Sequence, residues 1–173
     1  MLEVALMCHT DSIFLSIGGN LAGVDGRSAL ANCAAAAESL RAVPGLRLAG
    51  LSRWYATDPI PAGSGPRYVN GVAWLVGAAD PAWLLRQLQA IEARAGRLRS
   101  VPNAPRVLDL DIIAMGAVVQ DSPDPVLPHP RAHLRRFVLE PLAELCPDWT
   151  HPLLQRSVAD LLAGLPSQGV ERM

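Results

Sequence analysis

Two aspartates one residue apart, Asp109 and Asp111, carry the most pointed chemistry in the sequence. They lie in Pro105-Arg106-Val107-Leu108-Asp109-Leu110-Asp111-Ile112-Ile113, which reads as a β-strand. Side chains alternate along a strand, so Leu108, Leu110 and Ile112 face a core while the two carboxylates share the opposite face. Their Cα atoms would stand about 6.6 Å apart, and the short side chains can converge on one hard cation or a close metal pair. Magnesium suits such a pair: it takes oxygen ligands, is commonly held by one or two carboxylates, and completes its shell with water and substrate phosphate. Two solvated charges on a half-exposed strand would look the same in isolation, so the surroundings decide.

Those surroundings are basic. All 15 Lys-plus-Arg positions are Arg, and the net charge is -1. Arg94, Arg97, Arg99 and Arg106 occupy an acid-free run, and Arg131, Arg135 and Arg136 share another with His129 and His133. Guanidinium forks match phosphate oxygens in bidentate geometry, so these runs suit a small polyanion, while the overall charge gives no reason to expect a long one.

The elements that must position these groups follow from periodicity. Residues 12–17 read as a short buried strand ended by Gly18-Gly19-Asn20, and Leu30, Cys33, Ala34, Ala37 and Leu40 mark a helix closed by Pro44-Gly45. Residues 46–56 form a second expected strand, with a bulge near Gly50 where the alternation slips. Residues 57–67 form a long loop rich in Pro and Gly. A third strand, 68–76, then puts Tyr68, Asn70, Val72 and Trp74 on one face, an aromatic and an amide beside that loop. Asp80-Pro81 starts a helix with an apolar stripe at Leu84, Leu88 and Ile91 and a polar face at Gln89 and Glu92. Short helical pieces follow, including residues 141–145 and a last amphipathic segment with Val158, Leu161, Leu162 and Leu165. The order strand-helix-strand-strand-helix-strand predicts an α+β fold. It has a ferredoxin-like βαββαβ core with an antiparallel sheet, extended C-terminally into an α-β-α three-layer domain.

With 173 residues, 50% of them hydrophobic, the chain can bury one full core, so residues 12–173 are expected to form a single domain after a loose extension over 1–11. No run approaches the length of a membrane span and Glu3 stands where a secretory signal would be basic, so a cytoplasmic location and no membrane partner are expected. Cys8, Cys33 and Cys146 lack metal spacing and read as reduced structural thiols.

Taken in order, Gly18-Gly19-Asn20, Tyr55-Ala56-Thr57-Asp58-Pro59, Tyr68-Val69-Asn70, Gln89-Ala90-Ile91-Glu92, Gly96-Arg97, Pro105 to Asp111, Pro128-His129-Pro130 and Arg135-Arg136-Phe137-Val138-Leu139 resemble the 6-hydroxymethyl-7,8-dihydropterin pyrophosphokinase family. The resemblance implies transfer of pyrophosphate from ATP to the hydroxymethyl group of the pterin in folate biosynthesis, with release of AMP. It implies two Mg2+ ions on Asp109 and Asp111, with Arg97 and Arg106 also catalytic. It implies a nucleotide site of Gln89, Glu92, Arg97, Arg99, Arg106, Ile112, His129 and Arg135. The pterin would lie between Tyr68 and Phe137, with Thr57, Asp58, Ile60 and Asn70 around it. Two departures stand out: the family commonly has Gly-Ser-Asn where this chain has Gly18-Gly19-Asn20, and Trp-Gly-Pro-Arg where it has Asn103-Ala104-Pro105-Arg106, with the chain one residue shorter just upstream.

Three rival readings carry less. An RNA-recognition module of the same topology would need paired aromatics on its first and third strands and a basic surface, whereas aromatics are 5% of this chain, so no nucleic-acid partner is expected. A regulatory small-molecule domain would have no use for Asp109-x-Asp111. A catalytically inactive paralogue that binds nucleotide or pterin is the remaining alternative. A monomer acting on small molecules is expected.

Overall fold

The computed structural model describes residues 11–59, 63, 65–97 and 105–173. The expected start over residues 1–10, Cys8, Ile60, Arg99 and Asn103-Ala104 lie outside the described residues. One antiparallel sheet organises the rest. Its strands are β1 (Ser12–Gly19), β2 (Leu46–Leu51), β3 (Tyr55–Thr57), β4 (Tyr68–Gly77), β5 (Asp109–Met115) and β6 (Val170–Arg172). They run in the order β5-β1-β4-β3-β6, with β2 also paired to β4.

Alternation along β1 sorts the core into two layers. Ile13, Leu15 and Ile17 enter a cluster with helices α1 (Ala29–Leu40) and α2 (Pro81–Arg94), while Phe14 enters one with α3 (Arg136–Leu145) and α4 (Val158–Ala163). Each of the first two helices starts at a side-chain cap: Ser28 Oγ accepts from Ala31 N and Asp80 Oδ1 from Trp83 N, offsetting donors that have no partner within the helix. Leu84, Leu88 and Ile91 of α2 are buried as expected, each contributing about 1.5–3 kcal/mol of burial. On α1 the expectation needs one correction: Ala34 is exposed, and the buried stripe is Cys33, Ala36, Ala37 and Leu40.

The single strand expected over 46–56 is two. Its bulge is present, as a register shift between Leu48 and Gly50 against β4. At Ser52, however, the side chain accepts from Val72 N at 2.9 Å, so a hydroxyl replaces a ladder carbonyl, and the Trp54 ring lies over Gly71. A Cβ at position 71 would come within 2.7 Å of that ring, so glycine there makes room for the crossing. β6 is an addition that three residues with one apolar side chain did not announce.

Candidate active site

β5 carries its aspartates as alternation requires. Leu108, Leu110 and Ile112 are at most 3% exposed in the α1/α2 layer, and Asp109 and Asp111 stand on the other face. The register extends this into rows across the sheet. Tyr55 of β3 pairs with Asn70 of β4, Asn70 with Gly18 of β1, and Gly18 with Asp109; one step further in, Val72, Ser16 and Asp111 align. Gly18 lies between an amide and a carboxylate, and a Cβ there would sit 3.2 Å from Asn70 Oδ1.

The two aspartates differ in their surroundings. Asp109 is gripped on both oxygens, by Arg97 Nη1 at 2.6 Å and Arg106 Nη1 at 2.7 Å. Asp111 has His129 Nε2 at 3.9 Å, and its side chain is 38% exposed. Burial, and next the charge of Asp109, push the Asp111 carboxyl above its usual range. Burial, then Arg135 and Arg131, lower His129 to about 4, so the imidazole is neutral at pH 7. Its Nδ1 accepts from Arg131 N at 3.1 Å, which assigns the proton to Nε2, the nitrogen nearer Asp111. Arg135 is held below its ordinary value mainly by burial and then by Arg131, while Asp111 and Asp109 act the other way.

Glu92 is placed differently from the polar helix face expected of it. It is 3% exposed, ion-paired to Arg97, and accepts the backbone N–H of Leu110 at 2.7 Å. Burial raises its pKa against the opposing pull of Leu110 N and Arg97. Its carboxylate thus orients Arg97 and pins β5 between the aspartates. Ile112 likewise packs its side chain in the core, leaving main chain as what it offers a ligand. Gln89 is half-buried on α2.

On the other side of the sheet row, Asn70 donates from Nδ2 to Thr57 Oγ1 at 2.9 Å, both residues being buried. Tyr68 pairs in register with Thr57 and is half-buried. Asp58 pairs with Arg67 Nε at 2.9 Å. Phe137 is half-buried at the start of α3, with the Arg135 guanidinium carbon 5.6 Å from its ring centroid, a cation-π distance.

Asn20 has a role that its place in Gly18-Gly19-Asn20 does not reveal. It is 4% exposed; its Oδ1 accepts from Arg106 N at 3.0 Å, its own N–H donates to Arg106 O at 3.0 Å, and its Nδ2 donates to Pro66 O at 3.3 Å. One side chain therefore ties the end of the 57–67 loop to the arginine that holds Asp109. Beside it, a Cβ on Gly19 would lie 2.4 Å from Val107 O. The Arg106–Val107 arch rests on β1 where a side chain is missing.

Among the described residues no three His, Cys, Asp or Glu side chains cluster as a metal cage, and no helix is long and apolar enough to cross a membrane.

Comparison with known proteins points one way. The family described as 7,8-dihydro-6-hydroxymethylpterin-pyrophosphokinase (HPPK) matches residues 14–147. The 2-amino-4-hydroxy-6-hydroxymethyldihydropteridine pyrophosphokinase of Pseudomonas aeruginosa is 40% identical over 93% of this chain and 96% of its own length. Its counterpart from Synechocystis is 35% identical over 90% of this chain and 75% of that one. Folic acid synthesis protein fol1 of Schizosaccharomyces pombe is 36% identical over 76% of this chain, which spans 18% of that longer protein. The solved Plasmodium falciparum HPPK-DHPS triple mutant with SDX-DHP shares the fold, with a TM-score of 0.66 over 91% of this chain at 12% identity. This chain spans 45% of that one. The matched stretch contains both aspartates, the arginines around them and Phe137, and on these grounds the chain belongs to the 7,8-dihydro-6-hydroxymethylpterin-pyrophosphokinase family.

Proposed function

We propose that this protein transfers the pyrophosphoryl group of ATP to the hydroxymethyl group of 6-hydroxymethyl-7,8-dihydropterin and releases AMP, a step of folate biosynthesis. The observation that carries the reading is the pair Asp109 and Asp111 on one face of β5, with Arg97 and Arg106 on the first and a neutral His129 beside the second. The inactive alternative would be favoured by loss of that pair or its arginines, and all are in place.

The donor set fits magnesium. Two hard carboxylates, one of them exposed enough to accept a ligand and raised in pKa by burial and by its neighbour, suit an ion that completes its shell with substrate phosphate. Asp109 and Asp111 would hold two Mg2+ ions, which supply charge neutralisation on the phosphate oxygens when bound. The chain's own groups do the rest. Arg97 and Arg106, now on Asp109, are within reach to transfer their donors to phosphate, and Arg135 and His129 Nε2 add a cation and a neutral donor on the same side. Gln89 and the Ile112 main chain would complete the nucleotide side, with Glu92 acting through Arg97 and Arg99 assigned there from the sequence alone. Thr57, Asp58 and Asn70 would read the pterin edge, with Ile60 assigned beside them from the sequence alone, and Tyr68 and Phe137 would supply ring faces. Holding the hydroxyl in line with the β-phosphorus turns a bimolecular encounter into a positioned one.

The strand order, with β2 and β3 taken as one interrupted strand, supports a ferredoxin-like core extended into three layers. The shared sheet between both core layers supports one domain over 12–173. A monomeric, cytoplasmic enzyme without nucleic-acid or membrane partners completes the proposal.

Incubation with Mg-ATP and 6-hydroxymethyl-7,8-dihydropterin, with nucleotides resolved by chromatography, is expected to show AMP rising in step with pterin diphosphate. ADP in place of AMP, or no pterin-dependent product from folded protein, overturns the assignment.

A further inference from the structure

Helix α3 begins without a cap of its own. Arg135 occupies the capping position and offers no side-chain hydrogen bond to the helix, although Arg135 and the next-but-one residue Phe137 both belong to the proposed site. The missing cap comes from far along the chain. Gln168 Oε1 accepts from Arg136 N at 2.7 Å, and Gln168 Nε2 donates to Leu134 O at 3.1 Å. One amide thus closes on the main chain immediately before and immediately after Arg135, using its single acceptor and one of its donors. The Arg136 side chain fastens the same junction, donating from Nη1 to Leu162 O and Leu165 O at 3.1 Å.

The segment that carries Gln168 continues directly to the other wall of the site. Val170–Arg172 pairs with β3, placing Val170 opposite Thr57, and Glu171 meets Arg67 at 2.9 Å, the same arginine that pairs with Asp58. Within five residues the chain therefore grips the turn bearing Arg135 and Phe137 and the strand bearing Thr57. The geometry points to Gln168 as a positioning residue for the transfer reaction: its amide fixes the main chain around Arg135, and so the distance of Arg135 and Phe137 from the Thr57–Asn70 wall. This rests on the assignment of Arg135 and Phe137 to substrate binding made above.

The neighbouring contacts rank below it. Glu171 and Arg67 are exposed, and such pairs contribute little, whereas the Gln168 bond to Arg136 N is partly buried and stands where Arg135 gives the helix no side-chain cap. A pterin-binding group that is displaced loses contacts made in the ground state and the transition state alike, so a loosened turn is expected to raise KM before it registers in the fold.

The test compares Gln168→Leu, which removes both bonds at similar size, with Gln168→Glu, which keeps the acceptor for Arg136 N and loses the donor to Leu134 O. Steady-state turnover with Mg-ATP and the pterin is measured at a temperature where melting shows each variant folded, beside Phe137→Ala. The expected result is a pterin KM raised about tenfold in Gln168→Leu, a smaller rise in Gln168→Glu, and kcat changed less than KM. If Gln168→Leu does not fold, the Gln168→Glu split between KM and kcat decides alone. Wild-type KM and kcat in the folded Gln168 variants, with Phe137→Ala impaired, overturns the positioning role and leaves the site assignment standing. Unchanged kinetics in Phe137→Ala overturns the site assignment, and the role of Gln168 with it.

Discussion

Replacing Asp111 by Asn is expected to stabilise the metal-free protein while removing its activity. Ionised Asp111 stands two residues from Asp109 on one strand face, with the nearest imidazole neutral and 3.9 Å away. At roughly 6.6 Å and an effective dielectric near 20, two unit charges repel by about 2.5 kcal/mol. The Asp111 side chain is 38% exposed and Asp109 is already paired to two arginines, so screening leaves roughly 0.5–1 kcal/mol. For a chain of this size that corresponds to a gain of roughly 1–4 °C in Tm. Its sign follows from linkage. The folded pKa of Asp111 is raised, so its favourable contribution is present at low pH and lost as pH rises through that pKa; the advantage of Asn therefore grows from acid toward neutrality.

Turnover should move the other way. If Asp111 holds magnesium against the phosphates, losing that ligand removes several kcal/mol of transition-state stabilisation, about 10³-fold in rate. The assay pairs melting in EDTA at pH 5 and pH 7.5 with single-turnover AMP release in Mg2+. A melting temperature below wild type at pH 7.5, or AMP release within a few-fold of wild type, refutes the reasoning.

Two further outcomes test the frame around the site. Gly19→Ala places a Cβ where Val107 O would be 2.4 Å away, so the Arg106–Val107 arch must lift; a loss of about 1–3 kcal/mol and a lowered kcat are expected, and unchanged melting and turnover would show that the arch yields freely. Burial, and then His133, lower the His151 pKa to about 4, and its Nδ1 accepts from Leu153 N and Leu154 N, so its stabilisation is full above about pH 6.5 and drains as pH falls toward 4. His151→Asn keeps an acceptor near Nδ1 but does not titrate, and should lose roughly 2–3 kcal/mol less than wild type between pH 7 and 4.5; parallel urea midpoints for the two proteins would refute this.

What could be read in advance was what local periodicity controls. The face shared by Asp109 and Asp111, the bulge near Gly50 and the stripe of Leu84, Leu88 and Ile91 all follow from alternation or helical spacing over a few residues. Ala34 faces solvent because an alanine-rich helix has too little apolar contrast to fix its own stripe, and packing on the sheet selects Ala36 instead. β6 could not be read because its pairing is supplied by β3, more than a hundred residues earlier, and not by its own composition.

The site shows the same division more sharply. Side-chain types announced a carboxylate pair among arginines, but not who orients whom. Glu92 looked like half of a polar helix face; it is buried because Leu110 N needs an acceptor and Arg97 a counter-charge at one point beneath β5. Asn20 binds backbone from two loops, at Pro66 and Arg106, and no spacing in the sequence links those positions. Nor does any spacing link Gln168 to Arg135. Residues that touch substrate can be guessed from chemistry because their partners are small molecules with known demands. Residues that hold them in place have main-chain partners, which every position offers alike, so only the fold says which donor meets which acceptor.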